Sequence, residues 1–114
     1  MTEEFWNFLQ QLVDTSQIVI DRPKGSLHPR FPGNKYPVDY GYLKGTASSD
    51  LSGVDIWIGS LGKRRVVGVL CTVDLLKRDT ELKVLFDCTD EEIHLINSFV
   101  NTDDMRAMIT KYRV

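Results

Sequence analysis

The chain has 114 residues, 42% hydrophobic and 26% charged, with 14 Lys and Arg against 16 Asp and Glu for a net charge of −2. That length serves one compact domain (1–114) rather than two, and the balance excludes disorder, collagen-like repetition and low complexity. The near-neutral charge lacks the field of a dedicated nucleic-acid or anionic-membrane binder, and no apolar run approaches the ~18 residues of a membrane span.

The opening MTEEFWNFLQQ is acidic and amphipathic, unlike a secretory signal. Thr2 is placed to cap a helix, Glu3 and Glu4 face the positive end of its dipole, and Phe5, Leu9, Leu12 and Val13 recur at helical spacing. Ile18-Val19-Ile20 reads as a strand. Residues 21–37 hold all four prolines, two glycines and Arg22, Lys24, Arg30 and Lys35, so they form an exposed cationic loop of the kind that carries function.

Val38–Leu43 alternates Tyr40 and Tyr42 with Asp39 and Gly41 as a strand does. A polar loop covers 44–53, then Val54–Ile58 is a strand interrupted by an acid, and 59–63 turn. Two further strands, Arg65–Asp74 and Glu81–Phe86, are joined by a charged link. Thr89 and Glu92 form a capping box ahead of the stripe Ile93, Leu95, Ile96, Phe99 and Val100. Thr102 or Asp103 opens a last short helix in which Met105, Met108, Ile109 and Tyr112 supply the apolar face. With no crossover helices between strands, the expected class is α+β: a small, mostly antiparallel five-stranded OB-like β-barrel with an N-terminal helix and one or two C-terminal helices.

Cys71 and Cys88 have neither a zinc spacing nor a disulfide pattern, and in apolar company they read as buried free thiols of a cytoplasmic protein. A nucleophilic enzyme finds little support, with two histidines and no strained serine turn or phosphate-binding glycine loop. Tyr36, Tyr40, Tyr42 and Trp57 could stack bases, but the acids argue against a nucleic-acid groove. His28 is a weaker candidate contact for metal or phosphate. The informative residues are Asp21, Asp50, Asp55, Asp74 and Asp79, which sit at or near strand ends. Read singly, each is a solvated strand-end acid. Read together, facing Lys24, Arg30 and Lys35, they suit a hard divalent cation and a phosphate-rich substrate.

The segment YPVDYGYLKGTASSDLSGVDIWIGS (36–60) resembles the signature of the soluble, magnesium-dependent inorganic pyrophosphatases, Y-P-x-N-Y-G-Y followed by D-G-D-P-x-D and an apolar strand. IVIDRPKGS (18–26) is similar to that family's opening strand, and VVGVLCTVDLLKRDTELKV (66–84) to its later strand pair with two aspartates five residues apart. The resemblance implies Mg²⁺ as cofactor, Asp50, Asp55, Asp74 and Asp79 as metal ligands, and Asp55, Asp21 and Tyr40 as catalytic groups. It further implies that Lys24, Arg30, Tyr40 and Lys83 bind inorganic diphosphate, which metal-activated water would split. Nucleic acid and membranes are not expected partners, and a homo-oligomer is an option by analogy with the family.

Departures from the pattern bear on activity. Ser52 replaces the middle acid of the motif, and Glu81 stands where the family has a lysine, with Lys83 as its same-face substitute. The alternatives are a hydrolase of another phosphoanhydride, or a pocket that binds phosphate compounds or nucleotides without turnover.

Overall fold

The computed structural model describes residues 2–48 and 51–112. Helix α1 (Glu3–Asp14) starts where expected, the Thr2 hydroxyl accepting the Phe5 amide, and it buries Trp6, Leu9 and Val13. Strands β1 (Gln17–Arg22), β2 (Asp39–Lys44) and β3 (Val54–Ile58) form an antiparallel meander. β4 (Val66–Asp74) and β5 (Asp79–Phe86) form a hairpin, α2 (Asp90–Val100) follows, and β6 (Met105–Lys111) returns along β4. The sheet order is β1-β2-β3-β5-β4-β6, and the β3–β5 contact is parallel. The class is the expected one, α+β with a mostly antiparallel sheet consistent with a small OB-like arrangement, though it has six strands rather than five. No helix among the described residues is long and apolar enough to cross a membrane.

The sixth strand is a correction: residues 105–111 are not a helix. Met105, Ala107 and Ile109 point to one side and pack against the core under α2, whereas Arg106 and Met108 point away, Met108 being 67% exposed. A period of two serves a strand, and β4 had a bare edge whose amides and carbonyls needed partners. Methionine and alanine favour helices in isolation, and tertiary pairing overrides that preference here.

The sheet has a core on each face. On one side α1 lays Trp6, Leu9 and Val13 over Leu43, Ile56, Val69 and Val84. On the other, Ile93, Ile96 and Val100 of α2 cover Trp57, Leu70 and Leu85. Ile56, Leu70, Val84, Leu85 and Ile96 are fully buried, each worth about 1.5–3 kcal/mol relative to exposure. α2 opens on the expected capping box, Thr89 and Glu92 each accepting the other's amide. The α2 face is where the polar side chains collect. Alternation places Tyr40 and Tyr42, Asp55 and Trp57, Glu81 and Lys83, and Thr72 and Asp74 on that same side.

Gly41, between the two tyrosines, lets β1 lie close: a Cβ there would sit 1.8 Å from the Val19 carbonyl oxygen. Alternation turns the Gly41 position away from Tyr40, so this close approach lies on the α1 side of the sheet, opposite the polar side chains.

Candidate functional site

Lys83 is the hub of the uncovered part of this face. Its Nζ donates to the Tyr40 hydroxyl at 2.6 Å and to Asp55 Oδ2 at 3.0 Å, and lies 3.3 Å from Glu81 Oε2. The three charged side chains are largely shielded, at 11% exposure for Lys83, 25% for Asp55 and 13% for Glu81. Burial alone pulls the Lys83 ammonium down, but Tyr40, Asp55 and Glu81 more than offset it and hold its pKa above the ordinary lysine value. Burial pushes the Tyr40 phenol well above its usual range, with Asp55 adding to the shift and Lys83 opposing it. Tyr40 is therefore a neutral hydroxyl that accepts from Lys83, which also holds the Asp55 carboxylate. Two carboxylates against one ammonium leave the cluster with a net negative charge.

Beside it lies a cavity of about 110 Å³, walled by His28, Tyr36, Tyr40, Trp57 and Phe99, with Lys83 and Asp74 also lining it. The rings contact one another: Tyr40 and Trp57 have centroids 4.5 Å apart, and Tyr36 and Phe99 4.8 Å. The basic loop forms the cavity's outer wall. It folds as a small hairpin with Leu27 bridging Lys35, and His28 Nδ1 accepts the Arg30 and Phe31 amides at 3.1 and 3.3 Å.

Burial, then the charges of Arg30, Arg22 and Lys77, lower the His28 pKa, so it is neutral with the proton on Nε2. A depressed base contributes stability that is full above its unfolded value near 6.5 and is lost as pH falls through the folded value. Acidification from pH 7 to 5 should therefore lower the protection factors of the Arg30 and Phe31 amides, measured against their intrinsic exchange at each pH, ahead of those of the sheet amides. Equal loss in both places would contradict this account.

The structure brings Tyr40, Asp55 and Lys83 together, and Arg30 and Asp74 at 3.7 Å. Asp21 lies exposed at the bulge of β1 and Lys24 in the loop, and neither lines the cavity. Asp50 lies outside the described residues. Asp79 pairs directly across from Asp74. Because Ile56 pairs with Val84 in parallel register, Asp55 stands beside Lys83, four residues along β5 from Asp79. That is about 13 Å of strand, too far for Asp55 and Asp79 to share one ion. Among the described residues no three His, Cys, Asp or Glu side chains come close enough to hold a metal. Asp55 is engaged by Lys83, and Asp74 turns Oδ1 to the Leu76 and Lys77 amides at 3.0 and 3.1 Å. Asp55, Asp74 and Asp79 thus share a face of the sheet, and among the described residues three acids do not meet at one point.

Neither cysteine suggests nucleophilic chemistry: both are free, Cys71 is half-buried rather than buried, and burial pushes the Cys88 thiol up to about 12. Sequence reasoning noticed Tyr36, Tyr40 and Trp57 but not that Phe99 joins them from α2; its place at the edge of the helical stripe was the available signal. Asp87 was missed altogether. It is buried and accepts three consecutive amides, Lys63, Arg64 and Arg65, at 2.9–3.2 Å, clamping the turn between β3 and β4.

No protein-family model and no curated protein matches the chain. Among solved structures, the crystal structure of an inorganic phosphatase from Anaplasma phagocytophilum superposes with a TM-score of 0.57 at 18% identity, covering 82% of this chain and 81% of that one. The two chains share a fold. At that identity the likeness extends to the path of the backbone and not to the chemistry of the site.

Proposed function

We propose that the chain hydrolyses a phosphoanhydride, with inorganic diphosphate the simplest substrate. One observation carries the reading: a buried, charged Lys83 bonded to Tyr40 and Asp55 beside a cavity edged by Arg30, on a fold shared with an inorganic phosphatase. Lys83 and the Tyr40 hydroxyl donate to phosphate oxygens as charge builds on the leaving group. Asp55 accepts the proton of the attacking water, the part left open by Ser52 in the motif. Arg30, 44% exposed and held loosely at 3.7 Å from Asp74, is free to swing onto phosphate.

The negative cluster repels a bare polyanion, so the substrate's charge must be offset on arrival. Mg²⁺ is the proposed cofactor because a hard cation carried on diphosphate oxygens needs only one or two protein carboxylates.

The test is phosphate release from inorganic diphosphate with and without Mg²⁺, for this protein and for Asp55→Asn. Release that requires Mg²⁺ and falls at least about 100-fold in the variant, with the fold intact, is the expected result. Equal release from both proteins would remove Asp55 from the mechanism, and none from either would leave a pocket that binds without turnover.

A further inference from the structure

On the function proposed above, inorganic diphosphate engages Lys83 and Tyr40 and leaves the aromatic end of the cavity unused. Trp57, 2% exposed, walls that end, and its indole Nε1 donor has no hydrogen-bond partner among the described residues. Buried donors are nearly always satisfied, so this one calls for an acceptor brought in by a ligand. The donor stands close to the phosphate side chains. Trp57 pairs with Tyr40 across β2 and β3, their rings 4.5 Å apart, and Tyr40 accepts from Lys83.

We propose that the substrate is a short-chain acyl phosphate, the mixed anhydride of a carboxylic acid and phosphate. Its acyl group enters the cavity with the carbonyl oxygen on Trp57 Nε1, and its phosphoryl group lies on Lys83 and Tyr40. This assignment rests on the hydrolase function proposed above and names its substrate class.

Polarity, charge and size each favour an acyl group over a second phosphate. Tyr36, Trp57 and Phe99 offer ring surface, which suits a methyl or ethyl group and would leave a phosphate desolvated and unpaired. Asp55 and Glu81 outnumber Lys83 in the adjacent hub, so a substrate charged on one half only is repelled less than one charged on both. The cavity, about 110 Å³, is smaller than the roughly 150 Å³ that takes benzene, which leaves room for about four non-hydrogen atoms. An acetyl or propionyl group fits and a benzoyl group does not.

The reaction balances with water alone. The water oxygen bonds to phosphorus while the bond from phosphorus to the bridging oxygen breaks, and that electron pair leaves on the carboxylate. Asp55 takes one proton from the water and releases it to solvent, so the products are a carboxylate and inorganic phosphate. As the bond breaks, charge spreads onto the former carbonyl oxygen, and the Trp57 N–H strengthens its hold where that charge develops.

Phosphate release from acetyl, propionyl and benzoyl phosphate and from inorganic diphosphate tests the assignment, with Mg²⁺ present and spontaneous hydrolysis subtracted. Acetyl phosphate should exceed both diphosphate and benzoyl phosphate by about tenfold or more in kcat/KM. Trp57→Phe keeps a ring against Tyr40 and loses only the N–H donor. It should cost about tenfold on acetyl phosphate and leave diphosphate within about twofold, with the urea midpoint confirming the fold. Calorimetric titration with acetonylphosphonate, in which a methylene replaces the bridging oxygen, reads binding without turnover.

Acetyl phosphate no better than diphosphate, benzoyl phosphate as good as acetyl, or equal losses on both substrates in Trp57→Phe would each overturn the acyl assignment and leave the hydrolase. Acetonylphosphonate binding that weakens in Trp57→Phe, with no phosphate released from any compound, would keep the acyl seat and sink the hydrolase. Neither binding nor release would sink both.

Discussion

Lys83→Met should reduce phosphate release by about 100-fold and lower stability by about 2–3 kcal/mol. The two losses have different origins. The ammonium donates to Tyr40 at 2.6 Å and is the cation at the hub of the uncovered site, so its removal takes away a donor placed where leaving-group charge develops. The stability loss comes from the partners: Asp55 and Glu81, at 25% and 13% exposure, are left facing each other with no intervening positive charge. Breaking a fully buried pair costs about 3–5 kcal/mol, and the partial solvation of Asp55 reduces that figure. Adding Asp55→Asn should recover much of the stability and none of the activity. Urea denaturation read beside phosphate release checks both. A double variant as unstable as the single one would show that the repulsion between carboxylates is not the cause.

Asp87→Ala should be the most damaging of the substitutions considered, at about 3 kcal/mol or more, although Asp87 touches no part of the site. Its carboxylate accepts the amides of Lys63, Arg64 and Arg65 from a buried position, and hydrogen bonds to a charged group are worth about 1.5–3 kcal/mol each before non-additivity. Its backbone has φ +54, which aspartate tolerates better than alanine, so the variant adds strain to the lost bonds. Against the 5–15 kcal/mol of a typical domain this is a large fraction. The midpoint of urea unfolding should fall sharply, and Asp87→Asn, which keeps one acceptor oxygen, should fall less. A loss within about 0.5 kcal/mol for the alanine variant would mean that the turn is held by its backbone bonds alone.

Several of these features were legible in the residues and others were not, for definite reasons. The two helix starts were readable because capping is local: Thr2 and the Thr89–Glu92 pair satisfy amides within three residues of themselves. Lys83 was readable as a same-face substitute at Glu81 because a strand alternates, and the structure does put the two side chains 3.3 Å apart. Alternation also fixes which neighbours share a face within each strand, Asp55 with Trp57 and Asp74 with Thr72. It could not set the distance from Asp55 to Asp74, which depends on the parallel register of β3 and β5, a pairing between segments 28 positions apart in the chain at Ile56 and Val84. Residues 105–111 were misread because the signal lay in the bare edge of β4 rather than in the segment itself. Asp87 was invisible for a related reason, since its three partners lie 22–24 positions earlier and contribute only backbone.

The parallel β3–β5 contact has a consequence for how the site comes into being. β1 to β3 pair consecutively, as do β4 and β5, and β6 returns to β4 across α2, so Ile56–Ile58 against Val84–Phe86 is the seam where the two halves of the sheet meet. Tyr40 and Asp55 belong to one half and Lys83 to the other. The hub cannot exist in either half separately and is completed only when the seam closes, after the local hairpins have formed. Any fluctuation that parts those three rungs would dismantle the phosphate site while leaving both hairpins standing.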